Sequence, residues 1–128
     1  MTHKEGNPVF HVDAGAGIYL ISAHGQRIGN DLHIVMTGGE QPHVGAVAVG
    51  SQSEDEPDGV HVALITVPGH KEDIMVEKAA RRLARQLGIT VLVAAGMHWD
   101  EIDKKGIAQV LEYADHLTEK ILLEVRGD

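Results

Sequence analysis

Glu72-Asp73-Ile74-Met75-Val76-Glu77-Lys78-Ala79-Ala80-Arg81-Arg82-Leu83-Ala84-Arg85-Gln86-Leu87-Gly88 is where the hydrophobic period of this chain changes from two to about 3.6. From Asp73 onward, Val76, Ala79, Ala80, Leu83 and Leu87 fall on one helical face, Lys78, Arg81, Arg82 and Arg85 face away from it, and Gly88 supplies the carboxy-terminal stop. This helix divides a strand-rich first part from a strand and a helix that follow.

Upstream of it the punctuation is that of an antiparallel sheet. Gly17 to Ala23 is apolar, and Leu32 to Thr37 alternates Leu32, Ile34 and Met36 against His33, Val35 and Thr37. The turn-rich stretch His24 to Asp31 between them predicts a hairpin. Val44 to Val49 and Val60 to Val67 are β-branched runs joined by the polar, acidic connection Gly50 to Gly59, and Val9 to Val12 has room for one further short strand. Downstream, Ile89 to Ala95 suits a buried strand, and Ile107, Val110, Leu111, Ala114, Leu117, Ile121 and Val125 mark a long amphipathic helix. The order β-β-β-β-α-β-α predicts an α+β fold: a mixed, mostly antiparallel sheet with two helices packed on one face, in a single domain over residues 1–128.

Composition narrows the function. The 128 residues carry a formal net charge of −8 with scattered lysines and arginines, whereas nucleic-acid binding needs a concentrated basic face. With no cysteine, disulfides, thiolate zinc sites, iron–sulfur clusters and a cysteine nucleophile are excluded, so any metal must be held by nitrogen and oxygen. Met1 to Asn7 is polar, and no later stretch approaches the roughly 20 apolar residues of a membrane span. The expectation is a cytoplasmic protein with no membrane partner.

His43, His70 and His98 each sit in a glycine- or proline-punctuated loop at the mouth of an apolar strand. Suppose Leu32–Thr37, Val44–Val49 and Val60–Val67 pair as successive antiparallel neighbours, and Ile89–Ala95 returns parallel to Val60–Val67. All three histidines then land on one sheet edge, together with Gly38-Gly39 and the amino terminus of the Asp73 helix. Neutral imidazoles converging in this way suit a divalent or transition metal, with Glu72 or Asp100 as an oxygen ligand or as the partner orienting an imidazole. The bland alternative is loop histidines capping backbone groups. His11 is the reserve ligand, whereas His24 and His61 fall at the opposite edge, and His116 belongs to a solvated helix face. Gly45 marks a bulge or a close approach by a ligand or backbone. Lys71 suits a phosphate or carboxylate, and Trp99 suits either a planar ligand or packing beneath the final helix. Gly38-Gly39-Glu40-Gln41 lacks the lysine and spacing of a P-loop.

The blocks Thr37 to Ala48, Pro68 to Asp73 and Ala95 to Asp100, in that order, resemble the small D subunit associated with gallate and vanillate decarboxylases, a prenylated-flavin chaperone-like family. The resemblance spans nearly the whole chain. It implies binding of prenylated FMN with a metal ion and handling of that cofactor on behalf of a UbiD-type decarboxylase. Gly38, Gly39, Gly45, Lys71 and Trp99 are the expected flavin contacts, and His43, His70 and His98 the expected metal ligands. A second reading is a small metal-dependent hydrolase or cyclase using Glu72 or Glu40 as general base. A third is an accessory subunit without ligand. With both helices on one sheet face, the other face needs a cover, and a homo-oligomer supplies it.

Overall fold

The computed structural model describes residues 9–68 and 72–127 of the chain. In chain order the elements are β1 (Val9–Ala14), a 3-10 turn (Gly17–Tyr19), β2 (Ile21–Ile28), β3 (Asp31–Gly39), β4 (Ala46–Gln52), β5 (Val60–Thr66), α1 (Asp73–Leu87), β6 (Val91–His98) and α2 (Lys104–Arg126). The strands form one six-stranded sheet in the order β1-β2-β3-β6-β4-β5. Only β3 and β6 pair in parallel, so the mostly antiparallel α+β arrangement expected above is the one found.

The expected strand order is corrected in one place. β3 and β4 are not neighbours, and β6 does not lie beside β5: it enters between β3 and β4, parallel to the first and antiparallel to the second. The reason is burial. β6 places Val91, Val93, Ala94, Ala95, Gly96 and Met97 out of solvent, and a strand apolar on both faces is most stable at the centre of a sheet. Because β5 and β6 both run antiparallel to β4, they point the same way. The ends of β3, β5 and β6 and the start of β4 therefore still share one edge.

The first hairpin is also corrected. Gly17–Tyr19 is a 3-10 turn, while β2 runs through the stretch expected to turn and reverses only at Gly29-Asn30, with Gly29 at φ +61°. His24, Gln26 and Ser22 look turn-like in sequence because they lie on the uncovered sheet face, and Gly25 is a strand glycine over which the Phe10 ring packs. His24 thus sits inside β2 rather than at the far edge, stacked on its cross-strand partner His11 with ring centroids 4.5 Å apart.

The covered face carries Ile21, Ala23, Leu32, Ile34, Met36, Ala46, Ala48, Val91 and Val93, all essentially inaccessible. Against it α1 buries Val76, Ala79, Ala80 and Leu83, and α2 buries Val110, Leu117, Ile121 and Leu122. Gly50 allows α1 this close, since a Cβ there would stand 2.6 Å from the Ala80 carbonyl oxygen. Gly88 in the left-handed conformation, φ 69°, ends α1 with its N–H bonded to Ala84 O. The helices also contact each other, and their amino-terminal turns splay apart beside the end of β6. Among the described residues no helix is long and apolar enough to cross a membrane.

Candidate functional site

At the shared edge, β4 begins with an irregularity. Ala46 is in register with Ala95, yet the Gly45 N–H also donates to the Ala95 carbonyl at 2.8 Å, so two residues of this strand face one of β6. Gly45 O in turn accepts from the Val67 N–H at 2.8 Å, tying in the end of β5. Where a Gly45 side chain would project, the Glu72 carboxylate is found instead. Gly45 thus marks a bulge, and what comes close to it is the Glu72 side chain rather than a ligand or backbone.

Glu72 occupies the N-cap position of α1 but makes no side-chain capping bond. Its carboxylate, with the residue 8% exposed, turns inward. Oε2 accepts from the Met97 N–H at 2.9 Å and lies 3.0 Å from His43 Nε2. A buried carboxylate is costly unless it is paired and hydrogen-bonded, and here both conditions are met. The other ring nitrogen of His43 contacts the Gln41 carbonyl oxygen at 2.9 Å. A carbonyl only accepts, so Nδ1 carries a proton, and Nε2 faces the carboxylate across a proton or another cation. The loop bearing His43 passes directly over Gly96, where any Cβ would overlap the His43 carbonyl.

A second set of contacts closes the same edge nearer β3. His98, the last residue of β6, has Nε2 2.9 Å from Asp100 Oδ1. The Asp100 N–H donates to Glu40 Oε1 and the Glu40 N–H to His98 O, each at 2.7 Å. Gly39, at φ +82°, has no room for a Cβ against the His98 carbonyl, and a Cβ on Gly38 would stand 3.3 Å from the Trp99 ring. The two glycines thus serve as seats for His98 and Trp99.

Trp99 is fixed by its indole N–H, which donates to Ile18 O at 2.6 Å, and by an edge-to-face contact with Tyr19. One side of it helps to wall a cavity of about 440 Å³ between the amino-terminal turns of α1 and α2, lined by Met75, Met97, Ile102, Ile107 and Leu111, with Glu72 and His98 as its polar groups. The other side borders a smaller, acidic hollow of about 250 Å³ with Glu40, Asp100 and Glu101. The large cavity has the size and composition of a small-molecule site: apolar walls, an aromatic plate and a few polar groups. Glu72 and Asp100, the two carboxylates singled out in the sequence as partners for an imidazole, stand beside His43 and His98, whereas the Met97 floor and the fit of Glu72 against Gly45 are not foreshadowed there; the glycines at 45 and 96, each before or within an apolar run, are the available signal.

His70 and Lys71 lie outside the described residues. Among the described residues no three His, Asp or Glu side chains converge as metal ligands. His43 and His98 do share the edge, the first engaged by Glu72 and the second by Asp100. His61 is at the start of β5, and His116 is exposed on α2.

Residues 15–126 match the family described as the prenylated flavin chaperone LpdD-like domain. The chain is 35% identical over 104 residues to protein LpdD of Lactiplantibacillus plantarum, covering 81% of this chain and 76% of that protein. Its fold is similar to one in a solved chaperone complex for yeast 20S proteasome assembly, with a TM-score of 0.62 over 93% of this chain and 99% of the other at 10% identity, a likeness of fold alone.

Proposed function

The chain belongs to the prenylated flavin chaperone LpdD-like family, and on that footing we propose that it binds prenylated FMN in the cavity beside Trp99 and holds it for a UbiD-type decarboxylase. The observation that carries this reading is the cavity itself. Its apolar walls suit the extended ring system and the added prenyl carbons, and Glu72 and His98 offer polar contacts to ring heteroatoms at one end. Gly45 contributes by admitting Glu72, and Gly38 and Gly39 by seating Trp99 and His98. Lys71 belongs to the same reading as a further contact to the cofactor.

The proposal includes a divalent or transition metal held by His43, His70 and His98, with Glu72 as an additional oxygen donor. The donor chemistry fits: a backbone carbonyl fixes the Nδ1 proton of His43, which directs the Nε2 lone pair toward Glu72, where a cation would be favoured. Such a metal would supply an anchor for ring oxygens. We place the protein in the cytoplasm and infer a homo-oligomer formed through the sheet face that neither helix covers.

Anaerobic titration of the metal-free and metal-loaded protein with prenylated FMN, followed by ring absorbance and Trp99 fluorescence, tests this. Stoichiometric binding without turnover, tighter with metal, is expected; no binding to either form would overturn the carrier reading, and equal affinity would remove the metal from it. The buried Glu72–His43 pair also suits a small metal-dependent hydrolase or cyclase with Glu72, or failing it Glu40, as general base. Metal-dependent consumption of an ester, amide or phosphoester, lost in Glu72→Gln, would favour that alternative.

A further inference from the structure

We propose that Lys104 is the residue that takes the phosphate of the bound flavin, so that the cofactor lies with its ring system toward Glu72 and Met97 and its tail toward the start of α2. The inference rests on the cavity being the flavin site. Three observations orient the ligand within it.

The first is where negative charge already stands. One end of the cavity holds the buried Glu72 carboxylate, with Asp73 next to it in the first turn of α1. Beyond Trp99 lie Glu40, Asp100 and Glu101. A dianionic phosphate is repelled from both, in a chain whose formal net charge is −8.

The second is which cations are uncommitted. Arg27, Lys78, Arg81, Arg82 and Lys120 are each bonded to a carboxylate or a backbone carbonyl. Among the described residues Arg85, Lys104, Lys105 and Arg126 have no such partner. Arg85 and Arg126 belong to the last turns of their helices, about 15 Å and about 22 Å along the axis from the nearest cavity-lining residues, Met75 and Leu111, at 1.5 Å per residue. The two lysines remain.

The third separates those two. Ile107 and Leu111 line the cavity from α2. Lys104 precedes them by three and seven residues, which puts it on the same helical stripe, whereas Lys105 is a further 100° around the helix, on the side of the exposed Ala108 and Glu112. The Asp103 carboxylate between Ile102 and Lys104 is held at the N-cap, accepting from the Gly106 N–H at 2.8 Å, and is not paired with Lys104.

Prenylated FMN and its dephosphorylated form are titrated into wild type, Lys104→Ala, Lys105→Ala, Lys104→Arg and Lys71→Ala. Wild type is expected to prefer the phosphorylated form. Lys104→Ala should weaken that form by about three- to tenfold and leave the dephosphorylated form unchanged, with Lys104→Arg restoring the preference and Lys105→Ala retaining it. Equal losses in Lys104→Ala and Lys105→Ala would show a general charge effect and overturn the proposal. So would a phosphate preference lost in Lys71→Ala and kept in Lys104→Ala, or a wild type that binds both forms equally. In each of these cases the flavin site itself stands; only the absence of binding of either form by wild type would count against the site.

Discussion

The Glu72 carboxylate occupies the space that a side chain at Gly45 would fill. Two residues far apart in sequence are thereby made to fit each other: the strand can bulge against Ala95 only because Gly45 is small, and the carboxylate reaches the Met97 N–H only because the bulge leaves room. Gly45→Ala is expected to drive the carboxylate outward and leave the Met97 amide unpaired, at a cost of about 1–3 kcal/mol. Urea denaturation would read the loss. Faster hydrogen exchange at Met97 would locate it, and unchanged exchange there would show that the site tolerates the methyl group.

A second expectation concerns acid. The Arg81 guanidinium, hydrogen-bonded to Asp58 at 2.8 Å, holds that carboxyl below the usual carboxylate range and ties the connection between β4 and β5 to α1. Because the folded state depresses this pKa, the stabilisation is complete above the unfolded value of about 4 and is lost as pH falls through the lower folded value. Asp58→Asn should therefore reduce thermal stability at neutral pH and bring the melting curves of variant and wild type together as pH drops below that value. Curves that coincide at neutral pH would show that the pair contributes nothing, and a constant offset at every pH would show that the loss does not come from the Asp58 charge.

Much of this architecture was legible because the covered sheet face and the helices obey simple periods. α1 declares itself from Val76 to Leu87 and stops at Gly88, and the buried positions of β3 alternate without exception from Leu32 to Met36. The central insertion of β6 was not legible. Adjacent strands in sequence usually pair, and nothing local in Glu40 to Val44 says that the loop crosses over another strand; the clue was Gly96, which only makes sense once His43 lies above it. The extent of β2 was hidden for a different reason, since a strand with one solvated face and a glycine facing Phe10 reads as a turn. At the site, the edge shared by His43, Gly38-Gly39 and His98 followed from strand direction, which is insensitive to the error in strand order. The role of Glu72 depends on Gly45, Met97 and His43 together, and no single stretch contains it.

The uncovered sheet face makes a prediction about assembly. Val35, Leu92, Ala94, Val47 and Ile65 form an apolar band across β3, β6, β4 and β5, and Ile65 is 70% exposed. A second copy packing there, sheet against sheet, would remove the band from water. Val47→Asp is accommodated in the monomer, as its side chain points away from both helices, and it should convert an oligomer into a folded monomer by light scattering. A wild type that remains monomeric at high concentration would mean that copies of this chain do not meet through this face.

The last prediction tests whether the cavity is the flavin site, by separating the two things Trp99 does. Its ring walls the large cavity, and its indole N–H holds the 3-10 turn through Ile18 O. Trp99→Phe keeps most of the wall and removes the hydrogen bond, so it should cost about 1 kcal/mol of stability while changing flavin affinity little. Trp99→Ala removes both and joins the large cavity to the acidic hollow behind it, admitting water and the charges of Glu40 and Asp100 to the ligand. Its flavin affinity should fall by about tenfold or more, the loss expected when an aromatic plate and the dry surface around it disappear together. Circular dichroism and denaturation establish that each variant is folded before titration with prenylated FMN. A folded Trp99→Ala protein that binds the flavin as tightly as wild type would place the cofactor elsewhere, because no ligand seated between Met97 and Leu111 could be indifferent to the wall beside it.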